Sequence, residues 1–174
     1  IDKLQKAGAS ISEISVSSVD EAMGLTGLLY SPEAYATWKH KIEKSPDLMF
    51  AKILERFRSG ANVLASDFIH AWDKLVELRQ QYHSEVEAFD AILIPTSPII
   101  PPEIGRLMND GDFYNSQNLL ALRNTRIGNL MDGCSITLPT DMPSCGLLIM
   151  GRPNEEARLL RLAQACELVL ARNR

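Results

Sequence analysis

The run Asp90-Ala91-Ile92-Leu93-Ile94-Pro95 constrains this chain more than any other segment. It is almost continuously apolar and ends in Pro, the pattern of a strand buried on both faces of a partly parallel sheet. Such a strand needs helices over both faces, so an α/β class is expected. Ligands of open α/β sheets bind beyond the carboxyl ends of the strands, which draws attention to Thr96-Ser97-Pro98 and the Pro-rich loop through Pro101-Pro102.

The segments before this strand read mostly as helix. Ile1, Leu4 and Ala7 fall near one helical face and Gly8 is placed like the residue after a helix C-terminus. The chain therefore opens inside a helix without a capping residue or initiator Met, as either a piece of a longer protein or a processed N-terminus would. Ile11-Ser12-Glu13-Ile14-Ser15-Val16 reads as a short strand. A helical pattern then runs from Ser18 or Asp20 toward Lys44, with a restart at Ser31-Pro32-Glu33, until Ser45-Pro46-Asp47 breaks it. A second helix is expected from Pro46 to Arg58, ended by Ser59-Gly60. A third should run from Ser66-Asp67 toward Phe89 with Phe68, Ile69, Trp72, Leu75, Val76, Tyr82, Val86 and Phe89 as its apolar stripe. Residues 18–89 thus form a helical block far longer than an ordinary crossover, an insertion or lobe, and residues 90–174 carry the sheet.

Beyond the central strand, Asn115-Ser116 can cap a helix through Leu130, and Ser135 to Pro139 and Cys145 to Met150 are two short strands. Their tight connection about Thr140-Asp141-Met142-Pro143 favours an antiparallel hairpin. Pro153-Asn154-Glu155-Glu156 opens a last helix with a stripe of Leu159, Leu162, Ala163, Cys166, Val169 and Leu170.

Composition narrows the function classes. With 174 residues there is room for one domain and a fraction, and 45% hydrophobic with 23% charged residues is ordinary globular content. A net charge of -4 without like-charge runs disfavours nucleic acid as a direct ligand. No apolar stretch approaches the roughly 20 residues of a membrane helix. The three cysteines, Cys134, Cys145 and Cys166, form no CxxC pair and have no His at metal spacing, so neither a disulfide framework nor a metal site is expected, and a reducing cytoplasm fits best. No cofactor is expected, since no phosphate-cradling glycine motif is present.

The familiar nucleophile signatures are also missing: there is no Gly-x-Ser-x-Gly elbow and no Ser followed three residues later by Lys. His40, His70 and His83 do not repeat a helical turn and read as solvated helix residues. His83-Ser84-Glu85 has triad residue types, but consecutive helix positions point about 100° apart and cannot act in relay. Cys134 reads as a packed thiol after a turn, and Cys145 and Cys166 as core positions. Arg158, Arg161, Arg172 and Arg174 share the last helix with Glu155, Glu156 and Glu167, which argues for a solvated face with cations favoured at its end.

Several segments in order resemble the C-terminal part of the amidase signature family. They are Phe89-Asp90-Ala91-Ile92-Leu93-Ile94-Pro95-Thr96, Arg123-Asn124-Thr125-Arg126-Ile127-Gly128-Asn129-Leu130, Ser135-Ile136-Thr137-Leu138-Pro139, and Gly146-Leu147-Leu148-Ile149-Met150-Gly151-Arg152-Pro153 followed by Glu156-Ala157 and Leu159-Leu160. Ala7-Gly8-Ala9 with Glu13 and Val16 is similar to the region just after the family's catalytic core, and residues 18–88 match only as a variable helical region.

The resemblance implies a partial amidase-type domain over residues 1–174. Its fold would be the C-terminal part of an α/β/α sandwich with a mixed sheet and a large helical insertion. It implies a parent enzyme that hydrolyses carboxylic amides with a Ser nucleophile, a bridging Ser and a Lys, all upstream of this chain. No catalytic residue is then expected here, and the chain alone should be inactive. Thr96, Thr125 and Asn129 match family positions near the substrate cleft, where they would position an amide; capping and backbone bonding are their structural alternative.

Asp132-Gly133-Cys134-Ser135 stands where the commonest family pattern has Gly-Leu-Pro-Ala, and Met142-Pro143-Ser144-Cys145 replaces a Gly-containing turn. The first departure resembles the allophanate-hydrolase-like branch, which sets urea-derived substrates beside simple amides. The expected partners are a small amide substrate, the upstream half of the same protein and, for the fragment, further copies of itself. The alternatives are a non-catalytic interaction module on the same scaffold and a protein like the amidotransferase subunits that share the scaffold and serve aminoacyl-tRNA.

Overall fold

Helices make up most of the secondary structure in the computed structural model, which describes residues 1–171. In chain order the elements are α1 (Asp2–Lys6), α2 (Ser17–Gly24), α3 (Thr26–Lys44), a 3₁₀ turn (Pro46–Leu48), α4 (Ala51–Arg58), a 3₁₀ turn (Ser59–Asn62) and α5 (Ala65–Glu85). They continue with β1 (Ile92–Pro95), α6 (Ile104–Asn109), α7 (Gly111–Ala121), α8 (Arg123–Leu130), β2 (Ser135–Pro139), β3 (Gly146–Met150) and α9 (Glu156–Ala171). Arg172 and Arg174 lie outside the described residues. The chain divides into two units, residues 17–82 and residues 1–16 with 83–174.

Within the helical unit, the expected break at Ser31-Pro32-Glu33 falls elsewhere. The chain breaks at Gly24 and Leu25, and α3 passes through Pro32 without interruption. Glycine is a poor helix former, and Pro32 removes only one backbone donor. The turn Ser59–Asn62 backs directly onto this point: a Cβ on Gly60 would lie 2.1 Å from the Ser31 carbonyl oxygen, so only glycine fits. The expected helix from Pro46 to Arg58 is divided by extended residues around Met49 and Phe50. On α5 the buried stripe is Ala71, Leu75, Leu78 and Tyr82, with Ile69 and Val76 exposed, so the buried face is rotated from the expected one and the helix ends at Glu85 rather than near Phe89. Arg58 grips Glu43 with both nitrogens of its fork, Nε at 2.9 Å and Nη2 at 2.7 Å, joining the end of α4 to α3.

The sheet-bearing unit is built on strand order β1-β3-β2. β1 pairs antiparallel with β3, Ile92 opposite Met150 and Pro95 opposite Leu147. The β2–β3 hairpin is also antiparallel, as its short connection predicts, with Ser135 opposite Met150 and Pro139 opposite Gly146. The α/β class holds, but every pairing among the described strands is antiparallel, and β1 is a half-buried edge strand rather than one covered on both faces and paired in parallel. Its missing N–H at Pro95 is the kind of terminus an edge tolerates. Residues 11–16 do not form the expected strand: they carry no regular secondary structure and join no ladder among the described residues. Cys145 precedes β3 in the hairpin turn instead of lying on it.

Alternation along the strands sorts the two faces. Leu93, Ile136, Leu138, Leu147 and Ile149 pack with Leu159, Ala163, Leu162, Cys166 and Leu170 of α9. The opposite face carries Ser135, Thr137, Gly146, Leu148 and Met150, and α8 approaches it closely enough that a Cβ on Gly128 would lie 3.5 Å from Ser135 Oγ. The result is helix, sheet, helix. Where one helix from Asn115 to Leu130 is expected, α7 and α8 meet at Leu122, and Asp110 rather than Asn115 caps α7 by accepting from the Phe113 N–H at 2.9 Å. The short α6 buries no side chain, which leaves it without a periodic signal, and Arg106 stacks 3.8 Å from the Phe113 ring centroid to hold it. Gly8 does end α1, at φ +101.

Candidate functional site

The carboxyl end of β1 is fixed from two sides. The Thr96 N–H donates to the Gly146 carbonyl at 2.9 Å, extending the ladder one residue past Pro95. Asn124, on α8 and only 7% exposed, donates from Nδ2 to the Pro95 carbonyl at 2.7 Å. A carbonyl at the end of an edge strand has no further ladder partner, and the buried amide supplies one.

On the face turned toward α8, Thr96 Oγ1 and Thr137 Oγ1 are hydrogen-bonded at 3.2 Å. β1 and β2 are not neighbours, since β3 runs between them. Strands two apart are separated by roughly 9–10 Å, so the two side chains must lean together across β3. Gly146 makes that possible: a Cβ there would lie 2.6 Å from Thr96 Oγ1 and 2.8 Å from Thr137 Cγ2.

The other two expected residues stand elsewhere. Thr125 Oγ1 donates to the Leu122 carbonyl at 3.2 Å, so its hydroxyl hydrogen is turned back onto its own helix. Asn129, one turn later and exposed, lines a cleft of about 360 Å³ together with Asp132, Cys134, Asn154 and Glu156. Neither Thr96 nor Thr125 lines that cleft. Asp132 and Asn154 hold left-handed backbone on its walls, at φ 57 and φ 61, and Asp and Asn are the non-glycine residues that best tolerate it. The Cys134 thiol donates to the Arg152 carbonyl at 3.1 Å, a packed, hydrogen-bonded role. A second groove, of about 470 Å³, runs beside β1 between Phe89, Ala91, Leu93 and the irregular segment Ser10 to Ile14.

The surrounding charges fasten loops. Arg158 pairs with Glu155 at 3.1 Å and with Asp90, tying the start of α9 to the approach of β1, and Glu155 first, then Asp90, hold its guanidinium more firmly protonated than usual. Arg152 donates to the Glu87 carbonyl, and Lys3 pairs with Asp141. Among the described residues, no group of three or more His, Cys, Asp and Glu side chains could hold a metal ion. None of the described helices is long and apolar enough to cross a membrane.

The site therefore offers hydroxyls and amides for positioning a polar ligand. Of the residues gathered here the sequence singles out Thr96 as a candidate, while Asn124, Thr137 and Gly146 come together with it only in the folded chain. The spacing held a signal for Asn124: it and Gly128 are one turn apart and share the buried face of α8, while Thr125 and Asn129 share the next one.

Comparison with known proteins places this arrangement in context. A family model described as Amidase matches residues 1–160. The chain is 26% identical to the 2-amino-5-chloromuconic acid deaminase of Comamonas testosteroni, over 98% of its own length and 38% of that protein. It is 27% identical to a glutamyl-tRNA(Gln) amidotransferase subunit of Desulforamulus reducens, over 96% of its own length and 39% of the relative's. Among solved structures, the allophanate hydrolase of Kluyveromyces lactis superimposes with a TM-score of 0.80 at 16% identity, covering 97% of this chain and 28% of that one, a likeness of fold. The chain thus spans about two fifths of the length of the curated relatives it matches.

Proposed function

Because the chain belongs to the amidase family, we propose that it is the C-terminal portion of a hydrolase that cleaves carboxylic amide C–N bonds. It would contribute strands, outer helices and part of the pocket wall. The match of the family model over residues 1–160 carries this reading. A Ser nucleophile, a bridging Ser and a Lys would come from the parent protein's preceding segment. There the Lys, acting through the bridging Ser, takes the proton of the nucleophile, whose oxygen bonds to the amide carbon. Backbone amides hold the oxyanion, the C–N bond breaks with the proton passing to the departing amine, and water releases the acid from the acyl-enzyme.

In that scheme Thr96, Thr125 and Asn129 position the substrate. Thr96 follows the last residue of β1, where its hydroxyl meets that of Thr137. The Thr125 oxygen, its hydrogen already donated, can only accept, and the Asn129 amide can do both. Small carboxylic amides, urea-derived ones included, are the substrates this reading takes, in a cytoplasmic protein. A chain separated from its parent would also self-associate, because the outer edges of β1 and β2 have no strand beside them among the described residues.

The test is to express the complete reading frame that contains this chain and measure ammonia release from a panel of primary amides, alongside labelling by a serine-reactive fluorophosphonate and intact mass. The expected result is amide cleavage with the label on a serine outside residues 1–174, and no label on the 174-residue chain alone. A label on one of the chain's own serines, or no cleavage by the complete protein, defeats the proposal. The similarity to a glutamyl-tRNA(Gln) amidotransferase subunit supports a second reading, which predicts that the complete protein co-purifies with other polypeptides of such a complex and transfers ammonia to a carboxyl acceptor instead of releasing it.

A further inference from the structure

We propose that Thr96 and Thr137, meeting over Gly146, form a binding site for a carboxamide group. The proposal rests on the amidase reading for its substrate class and extends it to residues that reading leaves unassigned, Thr137 and Gly146.

A hydroxyl carries one hydrogen and two lone pairs. The bond between Thr96 Oγ1 and Thr137 Oγ1 uses one hydrogen and one lone pair, which leaves the pair one outward O–H and lone pairs on both oxygens. A carboxylate, which only accepts, satisfies the O–H and faces the lone pairs with like charge. An ammonium satisfies the lone pairs and wastes the O–H. A primary or secondary amide presents an acceptor and a donor on neighbouring atoms and matches both ends at once. The 3.2 Å between the two oxygens is short enough for one amide group to reach both.

The surroundings hold this arrangement in place. Side-chain bonds between adjacent strands are ordinary, but this one crosses an intervening strand and exists only because β3 has no side chain at Gly146. Asn124 clamps the Pro95 carbonyl, the peptide group leading directly into Thr96, and so sets the direction of its side chain. Thr137 is exposed on β2, where burial places no demand on its hydroxyl.

The experiment is an NMR titration of the 174-residue chain carrying methyl-labelled threonine, with isobutyramide, isobutyrate and N,N-dimethylisobutyramide as probes. The Thr96 and Thr137 methyl signals should shift saturably with isobutyramide. Each control, lacking either the N–H or the neutral carbonyl, should bind at least roughly fivefold more weakly, the span of one net hydrogen bond. Thr137→Val should weaken isobutyramide by a similar factor, and Thr137→Ser, which keeps both hydroxyls, should restore it. Equal responses to the three probes, no response to isobutyramide, or full affinity in Thr137→Val overturns the proposal. Binding by the threonines in a protein whose complete form cleaves no amide removes the amidase reading alone; amide cleavage with silent threonines removes this site alone.

Discussion

Asn124 and Pro95 are 29 residues apart in sequence and are joined by a 2.7 Å bond from the Asn124 side-chain amide to the Pro95 carbonyl. The bond locks α8 to the last residue of β1, next to Thr96. Replacing Asn124 by Leu preserves bulk and leaves that carbonyl without this donor. We expect Asn124→Leu to cost about 1–3 kcal/mol, read from the urea midpoint. An unchanged midpoint would mean that water serves the carbonyl equally well.

Gly60 and Gly27 should respond to alanine with opposite signs. At Gly60 a Cβ meets the Ser31 carbonyl at 2.1 Å, so backbone must move, and Gly60→Ala is expected to destabilise by ~1–3 kcal/mol or more. At Gly27, in the first turn of α3, a Cβ meets nothing within 4 Å, and Gly27→Ala should stabilise by about 0.4–1 kcal/mol, chiefly by restricting the unfolded chain. Thermal unfolding of the two variants beside the parent chain decides both.

The Arg58 fork holds the Glu43 carboxyl below the usual carboxylate range, its hydrogen bonds outweighing the opposing effect of desolvation. A carboxyl with a depressed folded-state value contributes fully above its unfolded-state value, near 4.3, and loses that contribution as pH falls through the folded value. The stability difference between the parent chain and Arg58→Met should therefore be present at neutral pH and close as pH drops below roughly 4. A difference that persists in acid would point to packing of the Arg58 stem instead.

Burial pushes the Cys166 thiol above its usual value, and it packs against the core beneath α9. Alkylation by iodoacetamide near neutral pH should be slow at Cys166 in the folded chain and rise to the rate of an unstructured cysteine in urea. Peptide mapping after timed quenching gives the two rates.

We expect self-association, because the outer edges of β1 and β2 have no strand beside them among the described residues and the apolar side chains of Ile100, Ile104 and Met108 are exposed. Light scattering over a concentration series should show the mean mass rising, and a monomer at every concentration would refute it.

The sheet was legible in the sequence where neighbours in the chain are neighbours in the ladder. The Ser135 to Pro139 and Gly146 to Met150 pair has a short connection and forms the expected hairpin. β1 was recognisable by its apolar run, but its antiparallel pairing with β3 depends on a partner more than fifty residues away and left no local trace. Residues 11–16 have strand-like side chains, yet a strand is a pairing and not a composition. Likewise Thr96 stood out by its place after an apolar run, whereas Thr137 and Gly146 acquire meaning only when three strands lie side by side. The expected set of Thr96, Thr125 and Asn129 is spread over a sheet edge, a helix turn and a cleft, because residues one turn apart on α8 make different contacts.

The order β1-β3-β2 puts the last strand to be synthesised in the middle. Among the described strands, neither β1 nor β2 has a partner until Gly146–Met150 has left the ribosome, so the ladder cannot grow strand by strand as translation proceeds. The apolar run of β1 must wait unpaired through more than fifty residues of further synthesis. During that interval its apolar side chains have no ladder to join, and only the synthesis of β3 supplies the partner that both β1 and β2 need.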